Sequence, residues 1–160
     1  MTLEQRPAGD LLPWLGATES RRKREPVERM MMNLPLWCLL IIALLPFWLA
    51  FWGSAVRRRE FGRIDNQHPR QQYARMEGKG ARLWAAQQNA WEALALFTAA
   101  IVATMTVGNG GWLVDVACVV FVLARVGHGL CYALDLPTLR SALFVVGFLA
   151  VLGLFAIALL

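Results

Sequence analysis

The sequence predicts an all-α integral membrane protein, a four-helix bundle, and three observations carry that reading. Four continuous apolar stretches, at about 34–56, 83–107, 112–134 and 138–160, each have the length that a bilayer crossing requires. Of the 160 residues 58% are hydrophobic, and the mean hydropathy of +0.46 is above that of a soluble domain. The basic residues gather beside the apolar stretches, where they set topology. The apolar runs are continuous and lack the alternation of a transmembrane strand, so helices are expected and a β-barrel is not.

The first span contains Pro46, which is expected to kink the helix while neighbouring helices re-satisfy the backbone. After it comes a basic loop, with Arg57, Arg58, Arg59, Arg63, Arg70, Arg75, Lys79 and Arg82 set against Glu60, Asp65 and Glu77. The second span closes on the turn Gly108-Asn109-Gly110-Gly111, which carries no charge. Asp135-Leu136-Pro137 breaks the third span from the fourth. The positive-inside rule puts the basic loop in the cytoplasm, with the Asp135–Pro137 turn on the same side and both termini on the other. The cluster Arg21-Arg22-Lys23-Arg24 opposes that arrangement, since a single span separates it from the basic loop. Residues 1–29 show neither helical periodicity nor a signal-peptide core. They are therefore expected to form a poorly structured tail, with translation from Met30, Met31 or Met32, before a membrane domain at 30–160.

The net charge of +5 and pI of about 9.7 do not imply nucleic-acid binding, because the basic residues flank spans and no recognition motif accompanies them. Cys38, Cys118 and Cys131 all lie in apolar stretches. An odd, buried set reads as packing thiols rather than a disulfide framework or a nucleophile. No metal site is expected.

From Leu83 to Leu160 the only charged side chains are Glu92, Asp115, Arg125, Asp135 and Arg140. Asp115, Asp135 and Arg140 lie near helix ends, whereas Glu92 and Arg125 fall well inside spans. Such a charge costs about 2.5–3.5 kcal/mol on insertion scales and survives with a partner or a purpose. Helix rise converts position to depth: Asn89 and His128 come about 9 Å below the basic end, and Glu92 and Arg125 about 14 Å. Arg82, Asn89 and Glu92 share one helical stripe, as do Arg125, His128 and Tyr132. A polar crevice open to the cytoplasm follows, with Glu92 and Arg125 as a depth-matched pair and Arg140 and Ser141 at its mouth. A purely structural role for one ion pair and its hydrogen-bonding neighbours is the bland alternative. The concentration of polar groups at one end argues for a site.

These residues resemble a known family. Arg82-x3-Ala86-x2-Asn89-x2-Glu92 is similar to the signature of the MAPEG proteins, membrane-associated proteins in eicosanoid and glutathione metabolism. Ala124-Arg125-Val126-x-His128-x3-Tyr132 and Pro137-x2-Arg140-Ser141 resemble its third- and fourth-helix motifs, and Asp65-Asn66-Gln67-His68-Pro69-Arg70 a loop motif of its bacterial branch. The resemblance covers about 34–160. It implies a homotrimer in the bacterial inner membrane, with glutathione as cosubstrate bound between subunits near the cytoplasmic face. By position, it assigns Arg82, Asn89, Glu92, Arg125, His128 and Tyr132 to glutathione binding and Arg140 and Ser141 to catalysis. Two positions depart from the pattern: Ala81 stands in place of an acid and Ala85 in place of an arginine.

The resemblance implies a glutathione-dependent transferase or peroxidase acting on lipophilic electrophiles that enter from the membrane lipids. The family also includes the five-lipoxygenase-activating protein, a lipid-binding member that is not an enzyme, so a non-catalytic lipid- or glutathione-binding scaffold is the alternative. A channel or transporter ranks third, because no polar stripe crosses a whole span.

Overall fold

The computed structural model describes residues 34–160, and the expectations for the tail at 1–29 lie outside the described residues. Within the described part, α1 covers Leu34–Phe61. It is followed by α2 (Pro69–Ala74), α3 (Gly78–Thr106), α4 (Trp112–Leu134) and α5 (Pro137–Leu159). No strand occurs among the described residues. All but α2 are long and apolar enough to cross a membrane, and the chain is an integral membrane protein.

Helices α1 and α3 outrun their apolar runs, α1 continuing through Arg57-Arg58-Arg59 and α3 starting five residues ahead of Leu83, at Gly78. Hydropathy marks where a helix meets lipid, whereas the ends are set by backbone chemistry. Gly62, at φ 73°, turns the chain out of α1 in a conformation that costs glycine little. The α1 helix passes Pro46 without a break, and the ring is fully buried among its neighbours.

The segment between α1 and α3 is ordered by a side-chain frame that the sequence reading treated as plain loop. Gln72 Nε2 donates to the Arg63 carbonyl at 2.9 Å, and its Oε1 accepts from the Asp65 N–H at 2.9 Å. Asp65 Oδ1 accepts the N–H groups of Gln67 (2.8 Å) and His68 (3.0 Å), leading the chain into α2 with Pro69 at its first turn. Tyr73 of α2 stacks on Trp84 of α3, ring centroids 4.1 Å apart, and the Arg57 guanidinium lies 4.2 Å from the Tyr73 centroid.

The core runs through all four spans: Ile42 and Leu49 from α1, Leu83, Phe97 and Ile101 from α3, Cys118 and Phe121 from α4, and Val151 and Leu154 from α5. Phe97 and Phe121 stack nearly parallel, with centroids 4.3 Å apart. Helices α4 and α5 pack closely because small residues face large ones: Gly127 meets Leu143, and Gly147 meets Ala124, Phe121 and Arg125. The outward faces are apolar, with Phe51, Leu123 and Leu149 all more than half exposed, which suits a hydrocarbon solvent.

Two turns define the ends of the bundle. At one, the expected glycine turn forms with Gly108 and Gly111 at positive φ, and Asn109 Nδ2 donates to the Ile157 carbonyl at 2.7 Å. At the other, α4 stops where Asp135 adopts the left-handed conformation, and the N–H groups of Asp135 and Leu136 both return to the Cys131 carbonyl. Pro137 then opens α5.

Candidate functional site

The mouth of the site is built where α3 begins and α4 ends. Arg82, one turn into α3, donates from Nε to the Tyr132 carbonyl at 3.0 Å, and its Nη1 lies 3.2 Å from Asp135 Oδ2. Above the Tyr132 ring sits the Arg140 guanidinium, 4.5 Å from the centroid. His128 meets the same ring edge-on, with centroids 5.2 Å apart. Its Nδ1 lies 2.9 Å from the Arg140 carbonyl, and since a carbonyl only accepts, that nitrogen carries the proton. His128 is buried, and its Nε2 has no partner. The first turn of α5 is thus tied to α4 through a backbone carbonyl, leaving the Arg140 side chain on the aromatic ring.

Deeper in, Arg125 of α4 crosses to α3. Its Nη2 donates to the Asn89 backbone carbonyl at 3.1 Å and to Asn89 Oδ1. Asn89 Nδ2 in turn donates to Glu92 Oε2 at 3.4 Å. Only 5% of Arg125 is exposed, and its Nε is buried without a partner. These groups form the polar wall of a pocket of about 180 Å³, with Phe121, Phe144 and Phe148 as its aromatic wall and Ala93 and Leu96 between. The Arg125 guanidinium lies 5.7 Å from the Phe144 centroid. Room for its stem comes from Gly147, where an added Cβ would stand 3.1 Å from Arg125 Cδ.

Depth matching brought Glu92 and Arg125 to one pocket, but the expected direct ion pair is corrected by the structure. Among the described residues Arg82 pairs with Asp135 and the His68 ring lies 3.9 Å from Asp65 Oδ2, while Asn89 stands between Glu92 and Arg125. Helical spacing gives level and face but not reach. Asn89, one turn before Glu92, offers both a carbonyl and a side-chain oxygen to the guanidinium first. Glu92 itself is exposed.

The residues singled out in the sequence fall into two groups. Arg82, His128, Tyr132 and Arg140 form the mouth network, and Asn89, Glu92 and Arg125 line the pocket. Ser141 joins neither: it is exposed, and its hydroxyl donates to the Pro137 carbonyl one turn back at 3.1 Å. Asp135, read from sequence only as a helix breaker, is the carboxylate that holds Arg82. The three phenylalanines were also missed. Phe121 precedes Arg125 by four and Phe144 precedes Phe148 by four, a helical ridge indistinguishable in sequence from lipid-facing residues. Arg57, counted only as a topological charge, is 5% exposed, and its Nε and Nη1 are buried without partners.

Cys38, Cys118 and Cys131 are free and buried. Among the described residues no group of three His, Cys, Asp or Glu could hold a metal ion. The chemistry on offer is a guanidinium, an amide and a carboxylate lining an aromatic cleft. That set suits a small molecule carrying both charges beside an apolar one.

No curated protein and no solved structure matches the chain. A family model does: the one described as MAPEG family matches residues 34–160, a range that contains all four spanning helices. Its members include glutathione transferases and peroxidases as well as non-catalytic proteins. By that match, the chain belongs to the MAPEG family.

Proposed function

We propose that the protein is a glutathione-dependent membrane transferase or peroxidase acting on lipophilic electrophiles, working as a homotrimer in a bacterial inner membrane. One observation carries this: the buried guanidinium of Arg125 lines a pocket that is polar on its Asn89–Glu92 side and aromatic on the other. Glutathione brings two carboxylates and an ammonium, which complement a guanidinium and a carboxylate. The wall of Phe144 and Phe148 belongs to α5, whose outer face is apolar, so an electrophile dissolved in lipid reaches the pocket without crossing water. Arg140 at the mouth is the cation that would favour the thiolate, the nucleophilic form of the thiol. Arg82, His128 and Tyr132 act by holding Arg140 and the α4–α5 turn in place.

The non-catalytic scaffold is the second reading. It is favoured by Ala81 and Ala85, which leave the start of α3 without the family's acid and arginine, and by Ser141, whose hydroxyl is spent on its own helix. Calorimetric titration of detergent-solubilised protein with glutathione, followed by thiolate absorbance in the ultraviolet and conjugation of a test electrophile, separates the two. The enzyme should bind glutathione, show thiolate and form conjugate, and Arg140→Ala should lower kcat more than it weakens binding. Binding with neither thiolate nor conjugate leaves the scaffold, and no binding at all removes the glutathione reading.

A further inference from the structure

The end of α1 carries a second groove that the glutathione reading does not use. Phe51, Ser54, Ala55 and Arg58 follow one another at helical spacing on a single stripe, with Arg59 beside them. Ile64, brought back by the turn at Gly62, closes the groove, whose volume is about 370 Å³. Along about 10 Å of helix the stripe passes from an aromatic ring to a hydroxyl to two guanidiniums. Phe51 is 77% exposed and belongs to the apolar span, so it meets acyl chains, whereas the arginines sit where that span gives way to the basic loop.

Neighbouring cations are engaged inside the fold: Arg57 lies on Tyr73, and Lys79 is 4.8 Å from the Trp52 ring centroid. Arg58 and Arg59 are exposed, and neither takes part in an ion pair among the described residues. Two adjacent guanidiniums attract a phosphate and repel the choline of a zwitterionic headgroup. The order chain, ester and phosphate of a phospholipid matches the order Phe51, Ser54 and Arg58 with Arg59. We propose that this groove binds one anionic phospholipid. Its phosphate sits on Arg58 and Arg59, its glycerol esters lie beside Ser54, and an acyl chain runs along Phe51. The site does not depend on the glutathione reading.

Native mass spectrometry of the full chain, released from detergent containing phosphatidylglycerol or phosphatidylcholine, tests it. Phosphatidylglycerol adducts should be retained several-fold over phosphatidylcholine. The double variant Arg58→Gln with Arg59→Gln should bring that ratio close to one. Arg63→Gln with Arg70→Gln removes the same charge from exposed positions outside the groove and should leave the ratio unchanged. Melting in detergent checks folding, and Arg58→Lys with Arg59→Lys, which keeps the charge, should retain most of the preference. Equal loss in both glutamine doubles would mean a diffuse basic field and would overturn the site. So would the absence of any preference, or displacement of the lipid by inorganic phosphate alone.

Discussion

Asn89 stands between Arg125 and Glu92, with which it lines one pocket, and it serves both: it accepts from Arg125 and donates to Glu92. Its own backbone carbonyl is a second acceptor for the guanidinium, so Asn89→Ala removes one of two bonds to a buried cation. Interhelical bonds in membranes average well below one kcal/mol, while bonds to charged groups run higher, and the expected loss is roughly 1–2 kcal/mol. Glu92→Ala, at an exposed position, should change stability by no more than about 0.5 kcal/mol. Melting of the two variants in detergent checks this, and a larger effect at Glu92 would restore the direct ion pair. Outside the spans, Asp65 offers a pH prediction. The His68 N–H, then the Gln67 N–H and the nearby His68 and Arg63 cations, hold its carboxyl below the ordinary carboxylate range. A lowered folded pKa means the loop frame gains fully from the carboxylate above the ordinary value and loses that gain as pH falls through the lowered one. Amide resonances of Gln67 and His68 should therefore titrate with a midpoint below an ordinary aspartate, and Asp65→Asn should abolish the step. Asp65 and Asn89 were both legible in the sequence as polar residues worth marking. Their partners were not, because a hydrogen bond depends on side-chain reach across elements.

The contact between α4 and α5 is set by residues without side-chain bulk. At Gly147 an added Cβ meets Arg125 Cδ at 3.1 Å and Ala124 at 3.6 Å, whereas at Gly153, on the same helix, nothing lies within 4 Å. Overpacking a close interface costs about 1–3 kcal/mol. Gly147→Leu should lower stability by that amount and also move Arg125, so melting falls and ligand binding in the pocket weakens with it. Gly153→Leu should leave both unchanged. Comparable losses at the two sites would show that the effect is of glycine in a helix and not of this contact. Span existence and the two turns were legible at this scale, since apolar runs and the Gly108–Gly111 and Asp135–Pro137 signals are local. The extension of α1 and α3 past their apolar runs, and α2 within the basic loop, were not, because polar helix outside the bilayer carries no hydropathy signal.

At the scale of the molecule, one end gathers the basic loop, the Arg82–Asp135 pair and the Arg140 mouth, and the other holds the uncharged glycine turn. Charge asymmetry of that kind orients a membrane protein. A reporter placed at Gly108–Gly111 should therefore lie outside the cytoplasm, and one between Arg57 and Arg82 inside. The opposite labelling would turn the site away from the cytoplasm and overturn the orientation read from the basic loop.

Four spans, two polar stripes and the family were already legible in the sequence, because hydropathy, helical spacing and motif residues are properties of the chain read one segment at a time. Tertiary structure decided the partnerships: Arg125 with Asn89 rather than Glu92, Arg82 with Asp135, and Arg57 beneath Tyr73 rather than in solvent. It also decided that Phe144 and Phe148 form a pocket wall while Phe51 faces outward. An aromatic side chain that faces lipid and one that faces a cavity are written with the same letter, and only the rotation and packing of whole helices separates them.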